Sequence, residues 1–349
     1  MHILSTSATF PPHYYRQREV VDALLAYWSR DSQIAAVLER LHMRTGVEGR
    51  YFSRRLEEYG ALDTWGKVNN VWIETAEELG ERAIDCALRR AGLGRERIGA
   101  IFFVTVTGVA SPSIDARLVN RMGLSPNIRR NPIFGLGCVA GAAGLSRAAD
   151  YVRAYPDQVA ALLSVELCSL TWQRDDTSMA NLISSGLFGD GAAVVLVAGD
   201  AIPRRGPRIL ASHSVFYPDT ENVMGWDISE QGFRIVLSPD VSRVVRENLG
   251  RDVDGFLEKQ ELTRGDIGSW IMHTGGPKVL EATAEALSLD REALEVSWEV
   301  LRRVGNLSSA SVLLVLDEVM SSRRPAPATR SVLAAMGPGF CAEMLLLEW

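Results

Sequence analysis

Lysine is almost absent from this 349-residue chain, where Lys67, Lys259 and Lys278 stand against 34 arginines. That skew is a compositional bias rather than a binding surface, because the net charge is −6. With an isoelectric point near 5.5 the chain offers no electrostatic case for nucleic acid. No apolar run approaches the roughly 20 residues that span a bilayer, and residues 1–6 carry no secretory signal, so a cytoplasmic protein without a transmembrane segment is expected. Cysteine is scarce too: Cys86, Cys138, Cys168 and Cys341 show no Cys-x-x-Cys spacing. This argues against a metal centre and for a reducing compartment in which thiols stay free. What is plentiful is apolar residue, 47% of the chain. Such a chain buries a large core, and two closely paired halves suit it better than a string of small domains.

One of the four cysteines stands in a distinctive frame. Gly135-Leu136-Gly137-Cys138-Val139-Ala140-Gly141-Ala142 surrounds Cys138 with small residues. A short apolar segment, 131–134, precedes it, and Ala142, Leu145, Ala149 and Val152 follow at helical spacing. A strand is therefore expected to turn sharply into a helix at the cysteine. Free N–H groups and the positive end of the helix dipole favour an anion there, so the thiol is expected to ionise more readily than a free one. The plainer alternative is a small buried hydrophobe.

Two downstream segments weigh against that alternative. His273 ends the apolar run 267–272 and precedes Gly275-Gly276-Pro277, which puts an imidazole at the carboxyl end of a strand. The other histidines, His2, His13, His42 and His213, lack such a frame. Asn306, in Gly305-Asn306-Leu307-Ser308-Ser309-Ala310-Ser311, precedes the apolar helical segment 312–317; taken alone it reads as a helix cap. An internal echo links the three. Leu93, Arg95, Ile98 and Gly99 recur as Leu262, Arg264, Ile267 and Gly268, each 169 residues later. The same offset carries Cys138 to within one residue of Asn306. The halves thus look like copies of one α/β unit, with cysteine and asparagine at matching helix starts.

Apolar strands are expected at 101–106, 159–165 and 192–197, and again at 270–272, 331–335 and 342–347. Helices near 75–84 and 282–287 would cover them. The proline- and arginine-rich stretch 201–207 is the best internal boundary.

Together these features resemble a type III polyketide synthase, the chalcone synthase-like branch of the thiolase superfamily. The resemblance rests on Gly137 to Gly141, Leu187-Phe188-Gly189-Asp190-Gly191-Ala192-Ala193, His273 with Gly275-Gly276-Pro277, the Asn306 segment, and Gly337-Pro338-Gly339-Phe340. It implies a duplicated thiolase-like αβαβα layered α/β fold, with residues 1–205 carrying the nucleophile and 206–349 carrying His and Asn. It also implies a Cys138-His273-Asn306 site acting on acyl-CoA and malonyl-CoA, a homodimer, and no cofactor. By the same resemblance Phe188 is a gatekeeping aromatic. The second gatekeeper position holds Ile235, a departure from the family, and Trp226 falls near a position that is glycine in the plant enzymes. Cys168, Thr171, Ser308, Gly275 and Gly276 belong to the pocket. Arg40 and Arg44, one turn apart on a helix, are the candidates for coenzyme A phosphates. Ser111 holds the position from which such enzymes reach into the partner's cavity. The wording around Cys138, 165–172 and 345–349 is most like bacterial alkylpyrone and alkylresorcinol synthases, which implies a fatty acyl starter. Three alternatives stay open: a malonyl-primed tetrahydroxynaphthalene synthase, a ketoacyl-ACP synthase III-like enzyme, and a catalytically silent acyl-binding protein.

Overall fold

The computed structural model describes residues 1–28, 32–204 and 206–349. Among these, nine strands build one mixed sheet: β1 (His2–Thr9), β2 (Ile98–Thr105), β3 (Arg129–Phe134), β4 (Val159–Leu167), β5 (Asp190–Ala198), β6 (Arg208–Phe216), β7 (Ile267–Met272), β8 (Arg330–Gly337) and β9 (Cys341–Glu348). Their spatial order is β7-β8-β9-β6-β1-β5-β4-β2-β3. The sheet reads as two copies meeting at β1 and β6, which pair through His2 and Arg208 and the hydrogen bonds beside them. Outward from that seam each copy has two antiparallel pairings and then a parallel one: β1-β5-β4-β2 on one side, β6-β9-β8-β7 on the other. The first copy adds β3, parallel to β2 at the edge.

The echo in the sequence is an echo in the backbone. A single 3-10 turn, Arg95–Arg97, leads into β2, and its counterpart, Arg264–Asp266, leads into β7. Both strands then slip register at the repeated Ile-Gly, between Ile98 and Ala100 and between Ile267 and Ser269.

Five helices set the layers: α1 (Trp65–Ala91), α2 (Ala140–Ala154), α3 (Val241–Glu258), α4 (Pro277–Leu287) and α5 (Ala310–Ser322). Successive strand residues face opposite sides. Accordingly Ala161, Leu163 and Val165 of β4 pack outward with Trp72, Leu79 and Ile84 of α1, while Ala160 and Leu162 face inward. The inward set joins Leu145 and Val152 of α2, Val312 to Leu316 of α5, and Leu333 and Leu345 of the second copy. On the far side Trp270, Val332 and Met344 pack against Val245, Leu249 and Phe256 of α3. The order of layers is α, β, α, β, α, with α2 and α5 in the middle. Each fully buried aliphatic side chain contributes about 1.5–3 kcal/mol, so this shared middle layer binds the halves to one another.

Local signals fix the ends of these elements. Thr64 caps α1 by accepting a hydrogen bond from the Lys67 N–H, and Gly92 closes it in the left-handed region at φ 66°. Pro277 opens α4 at a position where its missing N–H costs nothing.

Candidate active site

Between β3 and α2 the chain reverses through Gly135 (φ 97°) and Gly137 (φ 55°), both in backbone conformations that L side chains disfavour. Cys138 follows in a 3-10 turn, Gly137–Val139, that runs directly into α2. The turn is held from outside by the Gly337-Pro338-Gly339 segment. A Cβ on Gly137 would lie 2.5 Å from Pro338 Cδ, and one on Gly337 would lie 2.6 Å from the Val139 nitrogen. Gly141, one residue into α2, abuts the Ser309 carbonyl oxygen, and a Cβ there would also come within 2.8 Å of Val312. The amino ends of α2 and α5 therefore meet, as the duplication requires.

Asn306 is the last residue but three before α5. Its carboxamide oxygen accepts from the Ser308 N–H at 2.8 Å and from the Ser311 hydroxyl at 3.2 Å. With the oxygen committed, the amide NH₂ is the end left to serve the cavity. Ser308, in a left-handed conformation at φ 47°, accepts a hydrogen bond from the Cys138 thiol at 3.6 Å. Next to it, Ser309 donates its hydroxyl to the buried carboxyl of Glu166. Neither the Ser311 lock nor the Glu166 anchor was anticipated from sequence, although the run of three serines after Asn306 was its only visible sign. His273 directly follows β7, its N–H bonded to the Ala334 carbonyl at 3.0 Å. Its Nδ1 is buried without a partner among the described residues.

Cys138, His273 and Asn306 line one cavity of about 40 Å³ together with Phe188, Gly275, Leu237 and Phe340. All three side chains are nearly enclosed, 6%, 7% and 1% exposed respectively. A second cavity of about 30 Å³ lies across Phe188, lined by Cys168, Thr171, Trp172, Trp226, Ser184, Ser185 and Arg50. Phe188 is common to both, which is the position of a partition. Its segment is zipped to the asparagine loop: Asn306 N–H donates to the Leu187 carbonyl and Gly189 N–H to the Asn306 carbonyl, both at 2.9 Å.

Other candidates lie elsewhere. Ile235 sits opposite Trp226 in the ribbon of Met224–Ser229 and Gly232–Leu237 but lines neither cavity. The aromatic that packs there is Phe233, whose ring centroid is 5.9 Å from that of Trp226. Gly276 lies behind the cavity wall at φ 127°, against Leu187. Arg40 and Arg44 are exposed at the end of helix Ser32–Met43, outside both linings. Ser111, exposed, precedes Pro112 through a cis peptide bond.

Comparison with known proteins settles the family. Residues 1–201 match the N-terminal domain, and residues 208–349 the C-terminal domain, of the chalcone and stilbene synthases. The chain belongs to this family, the type III polyketide synthases. It is 47% identical to 1,3,6,8-tetrahydroxynaphthalene synthase of Streptomyces peucetius subsp. caesius, over 99% of this chain and 93% of that one. With a putative chalcone synthase of Bacillus subtilis it shares 38% identity over 87% of this chain and 86% of that one. The crystal structure of tetrahydroxynaphthalene synthase from Streptomyces coelicolor superposes with a TM-score of 0.95, at 30% identity, covering 100% of this chain and 99% of that one. As a type III polyketide synthase the protein is an acyltransferase that extends acyl groups by decarboxylative condensation. Among its described residues no helix is long and apolar enough to cross a membrane.

The electrostatics of this polyketide synthase differ from what the helix start implies. Burial pushes the Cys138 thiol up to about 12, and the Glu166 carboxyl adds to the rise, while the Ser308 hydrogen bond opposes it. Enclosure outweighs the helix end here, because a thiolate loses its water shell and gains few donors. Burial likewise pulls the His273 imidazole down to about 4. Each group taken alone is neutral. A thiolate and an imidazolium formed together in one cavity would offset both penalties by mutual attraction, so the ionisation of Cys138 depends on a partner rather than on the helix. Cys168 is held well above its ordinary value, first by burial and then by Glu166 and Asp190. It is a neutral thiol in the cavity wall.

Proposed function

We propose that this enzyme is primed by malonyl-CoA and builds a polyhydroxylated aromatic of the tetrahydroxynaphthalene type. The observation that carries this reading is the 47% identity, over nearly the full length of both chains, to a tetrahydroxynaphthalene synthase. The cavity beyond Phe188 supports it, since beside the apolar Val20, Leu24 and Leu56 it offers two tryptophans, four hydroxyl side chains and a buried guanidinium, groups that suit a short polar acyl chain. The fatty acyl starter expected for an alkylpyrone or alkylresorcinol synthase is the second reading, favoured by the apolar lining of the Cys138 cavity, to which Met224, Leu237, Val241, Val245 and Leu249 belong.

In the proposed cycle Cys138 gives its proton to His273 and attacks the thioester carbonyl of the starter, and coenzyme A departs with a proton. A second malonyl-CoA then loses its carboxylate as carbon dioxide. The electron pair left behind forms an enolate, whose oxygen is held by His273 and the Asn306 NH₂, donors that strengthen as charge develops. The enolate carbon attacks the acyl-Cys138 carbonyl, the sulfur leaves, and the lengthened chain returns to the cysteine for the next round. Phe188 must move aside for the chain to grow, since each cavity as it stands holds only a few waters.

The proposal includes the roles given to Phe188, Cys168, Thr171, Trp226, Ser308 and Gly275, and coenzyme A phosphates on Arg40 and Arg44. It also includes a homodimer, a cytoplasmic setting in which the four free thiols persist, and a division of the chain at 205/206. Arg205 itself lies outside the described residues. Mass spectrometry of products decides the main point. Malonyl-CoA alone is expected to give a tetrahydroxynaphthalene; a silent reaction, with pyrones or resorcinols appearing only on adding acyl-CoA of six to eighteen carbons, would reverse the assignment.

A further inference from the structure

Arg50 has no part in the chemistry described so far, yet it is among the most enclosed side chains of the protein, 1% exposed. Its stem runs between two glycines of the active-site loops. A Cβ on Gly189 would lie 3.3 Å from Arg50 Cβ, and one on Gly305 would lie 3.0 Å from Arg50 Cδ. The guanidinium lies over the Phe52 ring, 5.4 Å from its centroid, and Nη1 donates to the Phe188 carbonyl at 2.6 Å. Among the described residues its hydrogen bonding stops there: Nε and Nη2 are buried without partners. Among the described residues no carboxylate forms an ion pair with it. Asp190 is near enough to be felt, but its oxygens are taken by the N–H and hydroxyl groups of Ser53 and Ser169. A buried cation with unspent donors is costly unless something anionic completes it.

The guanidinium lines the cavity beyond Phe188, beside Cys168, Thr171, Ser184 and Ser185. Cys168 shares that cavity wall with Arg50, and Phe188 borders both this cavity and the one that holds Cys138. An acyl group on Cys138 that passes Phe188 therefore arrives at Arg50. We propose that Arg50 is the receptor for a free carboxylate at the far end of the Cys138-bound acyl group, the retained carboxylate of a malonyl starter. Planar carboxylate and planar guanidinium match through paired hydrogen bonds, and Nε with Nη2 is a free edge of the required shape. The site thereby separates two roles of one substrate. The extender loses its carboxylate near His273 and Asn306, and the starter keeps its own at Arg50. This inference rests on the malonyl-primed reading.

The test compares malonyl-CoA alone with isovaleryl-CoA plus malonyl-CoA, because an isopropyl group replaces a carboxylate at nearly equal shape. In Arg50→Gln, malonyl-primed product is expected to fall at least about tenfold further than isovaleryl-primed product, with Arg50→Lys in between. Equal losses for both starters would overturn the proposal and leave Arg50 as a support for Phe188 and Gly305. Should Arg50→Gln fail to fold, intact-protein mass of Asn306→Ala offered both thioesters gives the answer instead. A dominant malonyl adduct on Cys138 supports the receptor, and equal or dominant isovaleryl adduct overturns it. A wild-type enzyme silent with malonyl-CoA alone sinks the priming assignment and this inference together, whereas a productive wild type with starter-blind Arg50 variants sinks this inference only.

Discussion

The two halves of the chain share a strand order but not a job. In the first, the turn after β3 presents a thiol at the start of α2; in the second, the matching turn presents a carboxamide at the start of α5, and the end of β7 adds an imidazole. At the end of β2, the counterpart of β7, the chain has Thr105, Val106 and Thr107, which serve Glu166 through the Thr107 hydroxyl and the Val106 N–H. In the proposed cycle one copy of the unit forms the covalent bond and the other manages negative charge. Duplication lets each helix start specialise while the packing of Gly141 on Ser309 keeps them in register. A single unit would have to fit nucleophile and charge-stabilising donors onto one turn.

The largest effects should come from removing each half's contribution separately. Cys138→Ala is expected to lose polyketide formation entirely, yet still convert malonyl-CoA to acetyl-CoA, because the second half's donors are intact. Asn306→Ala is expected to do the reverse, loading Cys138 while decarboxylation falls by about 10²–10³, as for other oxyanion donors. Chromatography of the CoA esters reads both. Loss of decarboxylation in Cys138→Ala would erase the proposed division of labour. His273 sits on both sides of it. Its removal should depress iodoacetamide labelling of Cys138 at pH 7 by about tenfold or more, and the labelling rate should then climb with pH toward the thiol's own value of about 12. An unchanged pH profile in His273→Ala would show that the imidazole does not share the thiol's proton.

Much of this was legible in the sequence, and what was not had physical reasons. Strands β2, β4, β5, β8 and β9 announce themselves as apolar runs because both faces are buried. Strand β1 is equally buried but rich in polar residues. Ser5, Ser7 and Thr9 turn their hydroxyls to the carbonyls of Ala87, Ala83 and Leu79 on α1, a solution that no hydropathy pattern reveals. Strand β6 alternates exposed and covered residues and so has no continuous apolar run. At the site, the glycine frames pointed to Cys138, His273 and Asn306, which share one cavity, since backbone demands leave a mark on composition. The partners that orient them, Ser311, Glu166 and Pro338, meet them only through tertiary contacts. Thiol ionisation was misjudged for a related reason: a helix start can be read locally, but burial cannot.

Two smaller effects sharpen the contrast between the halves. Gly141→Ala would force a methyl group against the Ser309 carbonyl and Val312. The strain of such overpacking, about 1–3 kcal/mol, should appear as a lower urea midpoint with an unchanged slope. Gly255→Ala, on α3 with open space around it, should instead raise the midpoint slightly, by about 0.5–1 kcal/mol of helix propensity. If both glycines tolerated alanine equally, the helix starts would not be in the contact described.

In the pH dependence of stability, buried acids of the first half oppose buried histidines of both halves. Burial raises Glu166 from 4.5 to about 7 and Asp190 from 3.8 to about 6, against the pull of their serine and backbone donors. For an acid whose folded value lies above its unfolded one, the folded state holds the proton longer. The resulting stability is present below about pH 4 and is lost as pH rises through 6 to 7. These two acids therefore pull the urea midpoint down between pH 5 and pH 8, while His273, held at about 4, and His42, held at about 3, pull it up until about pH 6.5. Glu166→Gln removes the larger-valued of the two acid titrations, so its midpoint should be pulled down less than the wild type's over that interval, with Asp190 supplying the remaining downward pull. A profile of the same shape as the wild type's would mean that Glu166 is already ionised in the folded protein at pH 5, its charge balanced by the donors of Ser309, Thr107 and Val106.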